Sequence, residues 1–184
     1  MYIVGITGPM GSGKDTVSEY LDDVYDFREL SYGDIVRDIA DEEGVEPTRE
    51  NLQKISKRYR ESYGMEYFAQ RMVEKMDELG RKKYVLSGIR RIEDFKPIKK
   101  RYGENFKLLL IDAKPKIRFK RLKKRGLGRD PDSFEKFKEQ DETEFERYDM
   151  EETFKEADYT IHNNGSLDEL KKKVDAFVND FGLS

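Results

Sequence analysis

The stretch Tyr2-Ile3-Val4-Gly5-Ile6-Thr7-Gly8-Pro9-Met10-Gly11-Ser12-Gly13-Lys14-Asp15-Thr16-Val17 decides the fold. Tyr2 to Ile6 is a short apolar run bounded by glycine, the pattern of a buried strand. Gly8 to Lys14 matches G-x-x-x-x-G-K, and Val17-Ser18-Glu19-Tyr20-Leu21 reads as the first turns of a helix. Strand, glycine-rich loop, lysine and helix in this order form a phosphate-binding loop. Backbone N–H groups of such a loop converge on one point, the helix dipole adds positive potential, and Lys14 supplies a mobile cation. The ligand expected there is a nucleoside triphosphate.

Working outward, apolar runs alternate with helical patterns, which predicts an α/β protein with a parallel sheet covered by helices. The five candidate strands are Tyr2–Ile6, Phe27–Ser31, Lys83–Ser87, Phe106–Asp112 and Asp158–His162. Tyr84-Val85-Leu86 and Leu108-Leu109-Leu110-Ile111 are nearly continuous apolar segments, as strands buried on both faces are. Residues 34–80 read as three helices inserted between the second and third strands. Ile35, Val36 and Ile39 mark the first. Thr48 caps the second, which carries Leu52, Ile55 and Tyr59 to Gly64. Phe68, Met72, Val73 and Met76 mark the third, which ends at Gly80. Such an insertion stands over the carboxyl ends of the strands, where open α/β sheets bind ligands. Residues 125–134 read as a loop, with Ser133 capping the next helix. The last helix, Leu167–Phe181, follows an Asn163-Asn164-Gly165 turn.

Composition narrows the function classes. A length of 184 residues suits one domain with a substantial core. Charged residues make up 41%, a bias common in heat-adapted proteins, yet the net charge is only -3. No global basic field recommends a nucleic-acid partner. With no Cys there is neither a disulfide nor a thiolate metal site. No apolar run approaches membrane-spanning length, and the N-terminus reads as a strand rather than a signal peptide. The expected setting is the cytoplasm, away from the membrane.

Phosphoryl transfer needs positioning and positive charge more than covalent chemistry. Arginines follow the strand ends: Ser31-Tyr32-Gly33-Asp34-Ile35-Val36-Arg37 after the second, Ser87-Gly88-Ile89-Arg90-Arg91 after the third. Arg60 and Arg71 lie in the insertion, and Arg118, Arg121, Arg125 and Arg129 run into the loop beyond residue 125. A single arginine is ordinarily a solvated charge. Arginines gathered at strand exits beside a phosphate loop suit charge stabilisation.

Taken in order, these motifs resemble the nucleoside monophosphate kinases, adenylate kinase foremost. Ala157-Asp158-Tyr159-Thr160-Ile161-His162-Asn163-Asn164-Gly165-Ser166-Leu167 also resembles dephospho-CoA kinase. The chain is similar throughout to a group of archaeal proteins related to both. The resemblance implies a P-loop kinase domain with a core of residues 1–33, 81–124 and 146–184, an acceptor-binding insertion over 34–80 and a lid over 125–145. It implies Mg²⁺ as cofactor and ATP as phosphoryl donor. Gly8, Gly11, Ser12, Gly13, Lys14, Asp15 and Thr16 would surround the ATP phosphates, with Asp15 and Thr16 toward Mg²⁺. Arg121, Asn164 and Gly165 would lie near the adenine. Asp34, Arg37, Arg60, Arg71 and Arg90 would serve the acceptor. Lys14, Arg90, Arg125 and Arg129 would act on the transferring group. Three positions depart from the pattern: Asp15 replaces the usual Ser/Thr after the lysine, Ser87 an aspartate after the third strand, and Gln140 an arginine beyond the lid.

Other residues invite plain readings. His162 is a packing or loop residue; Met65, Met72 and Met76 fill gaps between insertion helices. Tyr59, Tyr63 and Tyr67 pack, and Tyr32 and Tyr67 are also placed to stack on an acceptor base. Lys120, Lys123, Lys124 and Lys171–Lys173 are solvated faces. The acceptor expected first is a nucleoside monophosphate, dephospho-CoA second. A hydroxyl acceptor calls for a carboxylate base, for which Asp34 is the candidate, with helix capping as its alternative role. A nucleotide-dependent switch or slow ATPase and a nucleic-acid end kinase or RNA-associated factor are the competing classes; an acceptor-side arginine set is unnecessary for the first, and charge balance disfavours the second.

Overall fold

The computed structural model describes residues 1–128 and 130–183. Its strands are β1 (Tyr2–Thr7), β2 (Arg28–Ser31), β3 (Lys83–Ser87), β4 (Phe106–Asp112) and β5 (Tyr159–His162). They form one parallel sheet in the order β2-β3-β1-β4-β5. The strand carrying the phosphate loop is therefore central, with a neighbour on each side. Helix α1 (Lys14–Tyr25) follows the loop, and α2 (Tyr32–Glu42), α3 (Arg49–Tyr63) and α4 (Tyr67–Leu79) form the insertion. Helices α5 (Ile92–Tyr102) and α6 (Pro115–Arg125) flank β4; α7 (Phe134–Tyr148) and α8 (Met150–Lys155) precede β5, and α9 (Leu167–Asp180) closes the chain.

Strand alternation sends side chains to two cores. Ile3, Tyr84, Leu86, Phe106 and Leu108 face the insertion and α5, packing on Ile35, Ile39, Phe68, Met72, Met76, Phe95 and Ile98. Val4, Ile6, Val85, Leu109 and Ile111 face the other way, onto Val17 and Leu21 of α1 and Val174 and Phe177 of α9. Burial on both faces explains why these strands read as continuous apolar runs. The insertion joins the first core directly: the Tyr84 hydroxyl donates to the Met76 carbonyl at 2.8 Å.

Helix ends follow the expected chemistry with one exception. Thr48 accepts from the Asn51 N–H, Ser133 from Lys136, and Gly80 takes the left-handed conformation after α4. At α2 the cap is Ser31, whose hydroxyl accepts from the Gly33 N–H, so the capping role considered for Asp34 falls to Ser31. Met72 and Met76 are fully buried, whereas Met65 is exposed and fills no gap. Among the described residues no helix is long and apolar enough to cross a membrane.

Candidate active site

The loop between β1 and α1 is moulded from outside. Gly8 has φ 145°, and a Cβ there would lie 2.1 Å from the Ile111 carbonyl oxygen of β4. Gly13 has φ 104°, and a Cβ there would lie 2.5 Å from Asn163 Nδ2. Only glycine fits either place. Asn163 Nδ2 donates to the Ser12 carbonyl at 2.8 Å, and Arg121 reaches the same carbonyl at 3.3 Å and Asn163 Oδ1 at 3.1 Å. Burial lowers Arg121 from its ordinary range. Arg118, almost fully buried, donates to the Met10 carbonyl at 3.2 Å and makes a two-pronged pair with Asp141 of α7, both bonds 2.7 Å. The loop is thus held by the β5–α9 turn, α6 and α7.

Lys14 Nζ donates to the Gly8 and Pro9 carbonyls at 2.7 and 2.8 Å. Desolvation pushes its pKa down to about 8; Asp15 and Glu144 act the other way, while Arg90 and Arg118 add to the depression. The Thr7 hydroxyl, at the end of β1, donates to the Ile89 carbonyl at 3.0 Å and so sets the Arg90 turn beside the phosphate loop.

Arg90 is presented by a braced turn. Asp94, in the first turn of α5 and buried, accepts from the Arg90 and Arg91 N–H groups, both at 3.0 Å, through one oxygen. Its other oxygen takes Arg60 at 2.6 Å. Thr153 of α8 donates to the Arg90 carbonyl at 3.2 Å, and the side chains of Arg90 and Arg91 lie over the Tyr148 ring. The buried Tyr32 hydroxyl donates to the Asp94 carbonyl, which removes Tyr32 from any stacking on an acceptor base.

The sequence reading passed over Glu144. Its Oε1 lies 3.6 Å from Arg90 and 3.6 Å from Arg49 of α3, and its side chain is 15% exposed. Beside it a cleft of about 370 Å³ separates α3 from α7, lined by Arg49, Gln53, Glu139, Gln140, Thr143, Glu144 and Arg147. Asp94 was likewise passed over. An acid three residues after Arg91 at a helix start was a legible capping signal for it. Glu144 lies inside a run of charged helix residues and carries no local signal.

The remaining site residues divide. Arg37 pairs with Asp34 at 2.5 Å on the exposed side of α2, and its guanidinium folds over Gly33. Arg125 forms a two-pronged pair with Asp130, at 3.0 and 2.5 Å. Arg60 is spent on Asp94 and on the Met65 carbonyl, so it reaches the arginine cluster only through Asp94. Arg71 is exposed and paired with Glu74 of its own helix. Asn164 accepts from the Lys114 N–H at 2.8 Å, tying the β4–α6 connection to the β5–α9 turn, and Gly165 lies close against Glu169. Arg129 lies outside the described residues. Asp15 is exposed at the start of α1, and Ser87 ends β3 without a carboxylate. Gln140 lines the cleft. His162 is exposed beside Asp112, and Tyr67 stacks on Tyr63 within a tyrosine group on α3 and α4.

A parallel sheet in this order with a phosphate loop after its central strand is the P-loop NTPase fold. Residues 7–138 match a family model described as an AAA domain. The chain belongs to the UPF0200 family. It is 35% identical over 147 residues to the UPF0200 protein of Thermococcus onnurineus, covering 76% of each chain. It is 32% identical over 144 residues to that of Methanothermobacter thermautotrophicus, covering 78% of this chain and 72% of the other. Against the UPF0200/UPF0201 protein of Archaeoglobus fulgidus the match is 35% over 151 residues and spans only 45% of that longer chain. Among solved structures, a shikimate kinase from Bacteroides thetaiotaomicron is similar with a TM-score of 0.64 at 12% identity, covering 98% of both chains. A dephospho-CoA kinase from Campylobacter jejuni is similar with a TM-score of 0.55 at 18% identity, covering 97% of this chain and 96% of that one. At such identities the likeness is one of fold.

Proposed function

We propose that the protein is a Mg²⁺-dependent kinase that moves the γ-phosphoryl group of ATP to a small-molecule acceptor seated between the insertion and α7. The observation that carries this reading is the Arg90 turn held against the start of the phosphate loop by the Thr7 to Ile89 hydrogen bond of 3.0 Å, with Arg90 3.6 Å from Glu144 of an open polar cleft. Phosphoryl transfer is accelerated by fixed positive charge around the moving group, and a nucleotide switch has no use for a cleft at that point.

In this reading the loop N–H groups and Lys14 hold the ATP phosphates, and Arg121, Asn164 and Gly165 flank the adenine. Arg125 and Arg129 approach the transferring group from the lid. Asp15 and the Thr16 hydroxyl offer hard oxygen donors at the start of α1. Among the described residues no trio of acidic or imidazole groups forms a metal cage by itself. This suits Mg²⁺, which takes one or two protein oxygens and completes its shell with water and phosphate. When bound, the ion neutralises charge on the triphosphate. Arg37 and Arg90 meet the acceptor, Arg60 positions Arg90 through Asp94, and Arg71 has no contact that supports a part in binding.

A nucleoside monophosphate is the first acceptor this arrangement supports, because Arg37 and Arg90 suit a phosphate. A hydroxyl acceptor such as dephospho-CoA is the second, favoured by the Asp34 and Glu144 carboxylates on the acceptor side. The test presents Mg·ATP with each nucleoside monophosphate and with dephospho-CoA, reading ADP and phosphorylated acceptor separately. A phosphorylated acceptor is the expected outcome. ADP released steadily with no acceptor phosphorylated would return the protein to the switch or ATPase class.

A further inference from the structure

Glu144 is an unusual carboxylate for its place. Three-quarters or more of its side chain is shielded, yet among the described residues it accepts no hydrogen bond. Its two arginines stop at 3.6 Å, beyond ordinary hydrogen-bond length. The charge is compensated, and the carboxylate stays open to the cleft. The side chains of Gln53 and Gln140 line the same cleft and make no side-chain hydrogen bond among the described residues. A carboxylate and two amides facing an open cleft of this size suit a hydrophilic ligand. No aromatic side chain lines the cleft; its walls are charged, amide and hydroxyl groups.

Position adds the chemistry. Glu144 lies 3.6 Å from Arg90, and Arg90 follows Ile89, whose carbonyl accepts from the Thr7 hydroxyl at the start of the phosphate loop at 3.0 Å; Lys14 of that loop is the residue that meets the β- and γ-phosphates. A second phosphate brought to Arg90 would face the Glu144 carboxylate and be repelled. A hydroxyl brought there would donate to it.

We propose that the cleft between α3 and α7 seats a hydroxyl-bearing acceptor and that Glu144 is the base that takes the hydroxyl proton. This rests on the kinase reading and chooses between its two acceptors. Arg49 and Arg147, on opposite walls, suit an anionic group elsewhere on the same molecule, and Gln53 and Gln140 suit its further hydroxyls. The class is thus a polar, hydroxylated, anionic small molecule. The acceptor oxygen attacks the γ-phosphorus, its proton passes to a Glu144 oxygen, the bond between the γ-phosphorus and the β,γ-bridging oxygen breaks, and ADP leaves with that electron pair. The products are a phosphate monoester and ADP, and Glu144 returns its proton to solvent.

Mg·ATP hydrolysis is measured beside transfer, so that loss of the phosphoryl group to water is separated from phosphorylation of an acceptor. Wild type, Glu144→Gln and Glu144→Asp are compared for Mg·ATP hydrolysis and for transfer to a panel of nucleoside monophosphates, dephospho-CoA and shikimate. Thermal unfolding checks folding, and binding of a fluorescent ATP analogue is measured apart from turnover. The expected result is a phosphate monoester from wild type, a transfer kcat lowered on the order of a hundredfold in Glu144→Gln at unchanged KM for ATP, and partial rescue by Glu144→Asp. Transfer only to phosphate oxygens, no transfer to any hydroxyl, or full hydroxyl transfer by Glu144→Gln overturns the proposal. Transfer to phosphate oxygens, or hydroxyl transfer undiminished in Glu144→Gln, leaves the kinase reading standing; steady hydrolysis with no acceptor phosphorylated, or failure of wild type to bind Mg·ATP, removes both.

Discussion

Lys14 is bonded to carbonyls of its own loop, the groups a triphosphate would displace it from. Its pKa, pushed from the ordinary 10.5 to about 8, makes this a titratable state. Between those values the unfolded chain binds the proton that the folded chain has shed. Lys14's burial therefore costs stability in full below pH 8, and the cost fades as the pH rises toward 10.5. A bound triphosphate restores the charge. ATP binding at pH 8.5 should then take up a fraction of a proton, and affinity should fall as the pH climbs past about 8. Calorimetry in buffers of different ionisation enthalpy reads the uptake directly, and Lys14→Met should abolish it. Proton-neutral binding in wild type would place the ammonium outside the phosphate contact. Asp34 is the residue whose part changed most between sequence and structure. Its capping role passed to Ser31 because the last strand residue turns its hydroxyl back onto the Gly33 N–H, leaving Asp34 to Arg37.

Helix α7 is the element on which the site turns. Its inner face carries Asp141 toward Arg118 and, one turn on, Glu144 toward Arg90 and Arg49. The Arg118–Asp141 pair is largely dehydrated, its side chains 5% and 15% exposed. Asp141→Asn would leave a guanidinium nearly without solvent or counter-charge, a change that costs about 3–5 kcal/mol when a buried pair loses one partner. Urea unfolding should show it, together with weakened ATP binding, because Arg118 also holds the Met10 carbonyl. A loss under about 1 kcal/mol would mean the Ala113 and Met10 carbonyls suffice for Arg118. None of this was legible locally. Thr48, Ser133 and Gly80 announced helix ends because capping is decided within four residues. The partners of Arg118, Arg60 and Arg90 stand 23, 34 and 54 residues away, and nothing in the pattern of a charged helix says which acid turns inward.

At the scale of the whole molecule, the sheet and its two faces were readable because burial on both sides writes an apolar run, and the glycine loop names the central strand. What the sequence could not convey is how unequally the insertion is fastened. Helix α4 buries Phe68, Ala69, Met72, Val73 and Met76 in the sheet's core, whereas α3 buries only Ile55. Stability is not uniform in such a fold, and the element with fewer buried contacts opens first. Amide hydrogen exchange should show α4 protected nearly as well as β1, with α3 exchanging sooner and gaining protection when an acceptor fills the cleft. Equal exchange in α3 and α4 would mean the insertion moves as one piece. The phosphate loop itself points to a broader consequence. Its glycines are pressed against the Ile111 carbonyl, the Arg118 carbonyl and Asn163, which belong to β4, to α6 and to the β5–α9 turn. The signature is a casting and these three distant residues are its mould. Its shape is inherited from the seam between β4 and β5 as much as from its own letters, and the segment that spells the motif is shorter than the segment that makes it.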